Sequence, residues 1–351
     1  MRVGLDMQLA RGTATGIGEY ALGLFAALSQ RAADGSDPFG LEVVRLFSPA
    51  LDPWRFDRRV LWDQVGLPLA ARRERVDLVH CVSGTLPRFS HAALVATVHD
   101  VAWLRVQSHT RPYARAYFGA FSLARYRAAR AIFVDSQFSH DELLAVAPDL
   151  ASARVEVAYP GVAHEFSELD RVRDDAVPFV LAVGTVEPRK NLEVVVRALA
   201  AIPQVRLISV GPPTPYLDEV RAIARGCGVL DRVEFRGYVP RDEMLSLYAR
   251  AAVAVAPSHY EGFGYAAAQA LCAGVPLVAA AASSLPEIVG SWAPLVRADD
   301  VEGWIDALRS LVEHRDAAES HASGVRAAAS ERFAWRATAA HVAATYAEVM
   351  R

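Results

Sequence analysis

Several short stretches combine residue types that could do chemistry. Gly184-Thr185-Val186-Glu187-Pro188-Arg189-Lys190-Asn191 follows an apolar run, 179–184, and precedes an apolar helix-like stretch, 192–200. Two adjacent cations at a helix N-terminus add to the dipole there, so Arg189 and Lys190 could hold a diphosphate without a metal. The bland alternative is a turn with two solvated cations. His259-Tyr260-Glu261-Gly262-Phe263-Gly264-Tyr265 follows the run 253–257, and Gln269 comes eight residues after Glu261. Glycines let a backbone approach a ligand closely, and Gln269 would lie about two helical turns beyond Glu261. That spacing suits an extended polar ligand whose hydroxyls meet a carboxylate and a carboxamide. Without a ligand, Glu261 would simply complement a helix dipole and Gln269 would be a solvated helix residue.

His99-Asp100 ends the run 94–99, where an imidazole could meet a bound substrate. Gly16-Ile17-Gly18-Glu19-Tyr20-Ala21 has the letters of a dinucleotide fingerprint, but about ten residues separate it from the first strand run, which argues against a Rossmann cofactor. The backbone N–H groups of Gly16 and Gly18 could still receive a phosphate at a helix start, and a simple turn is the equal alternative. Arg111, Arg115, Arg125, Arg127 and Arg130 alternate with Tyr113, Tyr117, Phe118, Phe121 and Tyr126 in one expected helix. It suits an anionic membrane surface, or equally an amphipathic helix with a solvated cationic face.

The elements that must position these residues are legible as twelve β-branched or apolar runs: 3–6, 43–47, 78–81, 94–99, 132–135, 155–159, 179–184, 207–211, 233–237, 253–257, 276–280 and 294–296. Helical stretches alternate with them, the pattern of parallel α/β sheets, whose ligands sit at the carboxyl ends of the strands. A length of 351 residues implies about two domains, and the charged, apolar-poor stretch 164–178 reads as the linker between them. From residue 300 onward the chain reads as helical, ending in an Ala-rich segment carrying Trp335 and Tyr346.

Composition excludes other classes. A 53% hydrophobic, 22% charged chain is not disordered, and a net charge of −3 gives no global field for nucleic acid. Three cysteines without C-x-x-C spacing suggest neither a disulfide framework nor zinc, and a reducing cytoplasm fits. No signal-like h-region or 18-residue apolar run occurs, so any membrane contact would be peripheral, on the inner face of the cytoplasmic membrane. There is no Asp-x-Asp, H-E-x-x-H, G-x-S-x-G or P-loop, which removes the usual support for metal–diphosphate, zinc, serine or P-loop chemistry.

In this order and spacing the stretches resemble the GT-B-fold glycosyltransferases, within them retaining family 4, over nearly the whole chain. Thr97-Val98-His99-Asp100, Val134-Asp135-Ser136-Gln137-Phe138-Ser139, Ala273-Gly274-Val275-Pro276 and Ser284-Leu285-Pro286-Glu287-Ile288-Val289-Gly290 complete the set. The resemblance implies two Rossmann-like parallel-sheet domains, 1–165 on the acceptor side and 166–334 on the nucleotide-sugar side, facing across a cleft. A terminal helix, 335–351, would cross back to the first. It implies that His99, Glu261, Lys190 and Arg189 act on the transferring sugar and its diphosphate, and that Gly16, Gly18, Gly184, Gly237, Tyr238, His259, Gly262, Phe263, Gly264 and Gln269 bind the donor. Asp100, Arg111, Arg115 and Tyr117 would face acceptor or membrane.

The family's E-x7-E pattern maps onto Glu261 and Gln269, so the second carboxylate, at the ribose, is replaced, and Thr185 stands where many members carry Arg. No metal or cofactor is expected, the nucleotide sugar being a co-substrate. The motif variants look most like hexosyltransferases using GDP-mannose in surface polysaccharide assembly, with UDP- or dTDP-sugars next and a saccharide or lipid-linked acceptor. A nucleotide-sugar epimerase or hydrolase, or a sugar-binding module without chemistry, are the competing readings.

Overall fold

The computed structural model describes residues 1–11, 16–106, 112–173 and 177–351. Among these, twelve strands form two six-stranded sheets. The first holds β1 (Arg2–Asp6), β2 (Glu42–Leu46), β3 (Leu78–Cys81), β4 (Ala93–Val98), β5 (Ala131–Val134) and β6 (Val155–Val157), in the order β2-β1-β3-β4-β5-β6. The second holds β7 (Phe179–Val183), β8 (Arg206–Val210), β9 (Val233–Gly237), β10 (Val253–Ala256), β11 (Leu277–Ala280) and β12 (Leu295–Val296), in the order β12-β11-β10-β7-β8-β9. Every pairing is parallel. Parallel strands need long crossovers, and helices on both faces cover the sheet, which is why β3, β5, β10 and β11 are buried throughout and read as unbroken apolar runs. In both sheets the strand order reverses beside the first strand, between β1 and β3 and between β7 and β10.

The chain divides into two compact units, Met1–Gly161 with Ala334–Arg351, and Val162–Phe333. The stretch 164–178, expected to be a linker, belongs to the second unit. Phe166 is fully buried with its ring 5.2 Å from that of Tyr248, and the Arg171 guanidinium donates to the carbonyls of Tyr248, Ala249 and Ala251. Arg171 thereby satisfies the free carbonyls at the C-terminus of helix Arg241–Arg250.

The terminal helix, Trp335–Val349, completes the first unit. Ala339, Val342, Ala343 and Tyr346 enter one core with Val3, Leu5, Tyr20, Leu24 and Phe133. Its Trp335 indole lies against Gly23 and Gly161, where a Cβ would come within 2.1 and 2.3 Å of the ring, so only glycine admits it.

Candidate functional site

In the second unit, the carboxyl ends of β7 and β10 carry a pocket whose lining includes Gly184, Thr185, Lys190, Ser258, Glu261 and Gly264. This is the switch point of the sheet, where open α/β folds bind ligands. Lys190 and Glu261, 71 residues apart, meet there, Nζ to Oε1 at 2.5 Å. Ser258 Oγ donates to the same oxygen at 2.7 Å, and Arg189 reaches Oε2 at 3.4 Å while also pairing with Glu187 at 2.8 Å. Burial pushes the Glu261 carboxyl up, but Lys190 and Arg189 outweigh it and hold the pKa below the ordinary carboxylate range. Two cations are thus balanced by two carboxylates, so the pair Arg189-Lys190 is an internally compensated cluster that a diphosphate would have to enter.

Local backbone geometry holds this arrangement. Pro188–Lys190 form one tight turn, and Asn191 follows in the left-handed region at φ 51°. Its buried amide donates to the carbonyls of Pro257 and Ala298 at 3.0 and 2.6 Å, tying the cationic turn to the β10 loop. The Glu261 N–H is bound by Ser283 Oγ at 2.9 Å. Gly264 begins helix Tyr265–Cys272 at φ 96°, and a Cβ there would strike Leu285 at 2.7 Å. Asn191, Ser258 and Ser283 were not among the sequence candidates; Asn191 sits in a quoted motif, but its bonds are to residues distant in the chain.

Of the donor-binding candidates in the second unit, six do not line this pocket. Phe263 is buried, its ring 5.2 Å from Tyr265 and 5.6 Å from Phe333, so its side chain packs the core. Gly262 beside it is buried as well. His259 is exposed and bound through its backbone N–H to the Arg189 carbonyl. Gly237 ends β9 and Tyr238 is exposed beyond it. Gln269 lies one turn past Ala266, a lining residue, and its Oε1 accepts from the buried Tyr248 hydroxyl at 3.1 Å.

In the first unit, helix Gly16–Ala33 begins at Gly16, so the N–H groups of Gly16 and Gly18 lie in its first turn. His99, at the end of β4, bonds Asp135 through Nδ1 at 2.6 Å and the Val82 carbonyl through Nε2 at 2.7 Å. A carbonyl only accepts, so Nε2 carries a proton. Burial opposes charge on the ring, but Asp135 beside it and the Val82 carbonyl outweigh this and raise the His99 pKa. Both ring nitrogens are therefore engaged within the unit, and a sugar would have to displace one of these bonds to reach them. Asp100 binds the Ala102 N–H locally, at 3.0 Å.

The Arg-aromatic run is helical over Pro112–Tyr126 with a wider turn at Tyr117–Phe121; Arg111 lies outside the described residues. Its aromatic rings divide between core and surface, with Tyr113 48% exposed. Tyr126 is buried, and Tyr117 Oη donates to Asp63 at 3.0 Å and stacks on Phe121. Arg115 donates to the Trp103 carbonyl, Arg125 to those of Pro87 and Arg88, and Arg127 pairs with Asp149.

The Tyr117–Asp63 contact belongs to a buried network at the β1/β3 switch point that the sequence did not disclose. Arg59 donates to Asp63 at 2.8 Å and to Ser83 and Thr85; Thr85 donates to Asp63, and Ser83 and Trp62 donate to Asp6. Burial pushes the Asp63 carboxyl up to about 6, against the Arg59 charge. The local signal was an i, i+4 Arg-Asp pair, which is ordinarily a surface feature. No group of three or more His, Cys, Asp or Glu among the described residues could hold a metal ion, and no described helix is long and apolar enough to cross a membrane.

Residues 15–166 match the profile of the family described as Glycosyltransferase Family 4, and residues 167–328 that of Glycosyl transferases group 1. The D-inositol 3-phosphate glycosyltransferase of Mycolicibacterium smegmatis is 32% identical over 212 residues, 56% of this chain and 48% of that protein. Its namesake from Xylanimonas cellulosilytica is 37% identical over 181 residues, 50% and 43% of the two. The chain thus spans about half the length of the curated relatives it matches. Sucrose-phosphate synthase from Thermosynechococcus elongatus superposes with a TM-score of 0.79 at 20% identity, over 99% of both chains. HepE of Anabaena, solved with UDP and glucose, gives 0.72 at 19%, over 99% of this chain and 100% of that one. At such identity the structural likeness speaks for the fold, two parallel sheets of the GT-B type. With both profiles matched in sequence, the chain belongs to the family 4, group 1 glycosyltransferases.

Proposed function

We propose that the chain is a retaining glycosyltransferase that moves a hexose from a nucleotide-diphosphate sugar to a saccharide or lipid-linked acceptor in surface polysaccharide or glycoconjugate assembly. The Arg189-Lys190-Glu261 cluster at the carboxyl ends of β7 and β10 carries this reading. As the glycosidic bond lengthens, positive charge develops at the anomeric carbon and negative charge passes to the departing diphosphate. Lys190 has three N–H donors and turns one toward Glu261, leaving the others for diphosphate oxygens. The departing phosphate can take the acceptor's proton, so the nucleotide leaves and the acceptor oxygen bonds to the anomeric carbon on one face without a protein nucleophile, and no residue of the cluster needs to titrate. An acceptor carried on lipid would bring the protein to an anionic membrane surface.

The motif variants favour GDP-mannose as donor, and UDP-glucose, the ligand of a HepE complex, is the comparison to make. The test is nucleotide release from GDP-mannose, UDP-glucose and dTDP-glucose, with and without saccharide acceptors, followed by NMR of the product's anomeric carbon. Lys190→Ala is expected to lower turnover by about 10²–10³. Near-normal transfer by that variant, or an inverted anomer, would overturn the mechanism, while binding without nucleotide release would favour a sugar-binding module.

A further inference from the structure

We propose that the outer face of residues 54–73, with the neighbouring loop at Phe89, is a docking surface for anionic phospholipid. The helical run comprises Phe56–Leu61, a wider turn Trp62–Gly66, and Leu67–Arg73. Its inner face is fully used: Arg59, Trp62, Asp63, Leu67 and Ala71 are buried. The outer face should then be polar, as on an ordinary surface helix. Instead Leu61, Val65 and Leu69, one turn apart, are 41%, 47% and 62% exposed. Trp54 precedes them at 53%, and Phe89, at 76%, is the most exposed large apolar residue among those described. The Phe89 loop is tied to the helix through Gln64, which donates to the Leu86 carbonyl and accepts from the Arg88 N–H at 2.9 Å. Five of the thirteen exposed large apolar residues described thus fall within 54–89, about a tenth of the chain. Single exposed apolar side chains need no explanation, but a concentrated set marks an interaction surface.

Charge selects the occupant. Residues 54–91 hold seven arginines and four acids, a net of +3, in a chain whose net is −3. Arg59 and Asp63 cancel each other inside, so the excess lies on the exposed Arg55, Arg58, Arg72, Arg73, Arg75 and Arg88. Arg88 stands over the Phe89 ring at 5.6 Å. Apolar side chains flanked by arginines on a helix lying flat fit the boundary between headgroups and acyl chains: the side chains enter and the guanidinium groups hold lipid phosphates. A second copy of this chain would set the same cations against one another, which disfavours a dimer through this face. The surface deepens the proposal of a lipid-linked acceptor and takes its purpose from it. The surface itself is argued from exposure and charge alone.

The test is co-sedimentation of the full chain with vesicles of phosphatidylcholine alone and with about 30% phosphatidylglycerol, over rising salt. Binding is expected only to the anionic vesicles and should fall with salt. Leu61→Glu with Leu69→Glu should lower partitioning at least about tenfold, and Arg72→Ala with Arg73→Ala about fivefold per charge removed. These residues are exposed, so each variant should keep the wild-type Tm and its nucleotide release with a soluble acceptor. Equal binding to neutral vesicles, or retained binding by both variants, would overturn the proposal. So would light scattering that shows a dimer which the Leu61/Leu69 variant dissolves. Vesicle binding uses neither donor nor acceptor, so its failure would leave the glycosyl-transfer reading standing, and failed transfer would leave this one standing.

Discussion

At the scale of single residues, the replacement of a carboxylate by Gln269 has a consequence set by Tyr248. A carboxylate can take the protons of two ribose hydroxyls; at the ribose position proposed for it, the Gln269 oxygen already accepts from Tyr248, which leaves one lone pair and the two amide N–H groups for a ligand. Donors of this kind can be satisfied by the 3′-oxygen alone, which ribose and 2′-deoxyribose share. A site that binds a hydroxyl through a buried carboxylate rejects the analogue lacking it, and Gln269, in the role proposed for it, supplies no carboxylate there. Wild type is therefore expected to use the 2′-deoxy form of its nucleotide donor within about tenfold of the ribo form in kcat/KM. Gln269→Glu should widen the ratio, and Tyr248→Phe should raise the donor KM with kcat little changed. An unchanged ratio in Gln269→Glu would sink the argument. His99 supports a second expectation, about pH. Its pKa is raised in the folded state, so it adds stability that is complete below the ordinary value of 6.5 and is lost as pH rises through the raised one. Melting curves between pH 6 and 9 should show this decline, and Asp135→Asn, which removes the main stabiliser of the charge, should flatten it.

At the scale of elements, the twelve strands were legible because fully buried parallel strands are continuous apolar runs between helix patterns. The errors were at the ends and have local causes. Pro276 and Pro294 lack the N–H that a ladder needs, so β11 and β12 begin one residue later, at Leu277 and Leu295. What sequence hid was partnership across distance. Composition marks 164–178 as a linker, yet Arg171 closes the end of a helix seventy residues away and Phe166 packs on it. Likewise Arg189-Lys190 and Glu261 could each be picked as candidates, while their mutual neutralisation could not. Asp6, the pair Arg59 and Asp63, and Tyr117 come from three segments, and only the fold makes them one network. In the Arg-aromatic run the alternation of rings with arginines does not say which side the core takes: Tyr126 is buried and Tyr113 is exposed. The stripe Leu61, Val65, Leu69 shows the converse, apolar residues left outside because a second set, Trp62, Leu67 and Ala71, already fills the inside.

At the scale of the whole molecule, the two units differ in how the chain builds them. The second is continuous, Val162–Phe333, whereas the first needs the segment after it, Ala334–Arg351. Tyr346 is fully buried and its hydroxyl meets Nδ1 of the buried His80 at 2.6 Å; His80 Nε2 in turn meets Thr97, and Thr97 meets Tyr20. Removing the terminal helix would therefore strip Val342, Ala343 and Tyr346 from the core and leave Nδ1 of a buried imidazole without a partner, which alone costs about 1–3 kcal/mol. Each large side chain lost adds about 1.5–3 kcal/mol, enough together to consume the stability of an ordinary domain. The fragment 162–333 is thus expected to unfold cooperatively on its own and to bind a nucleoside diphosphate, measured by calorimetry, with Lys190→Ala weakening it. The fragment 1–161 should lack cooperative unfolding. Gly161 lies against the Trp335 backbone, so joining 161 to 334 through a few glycines asks for no distortion and should restore a cooperative transition. If fragment 1–161 melts at the same temperature as the joined one, the terminal helix is an accessory to the first unit and not part of its core.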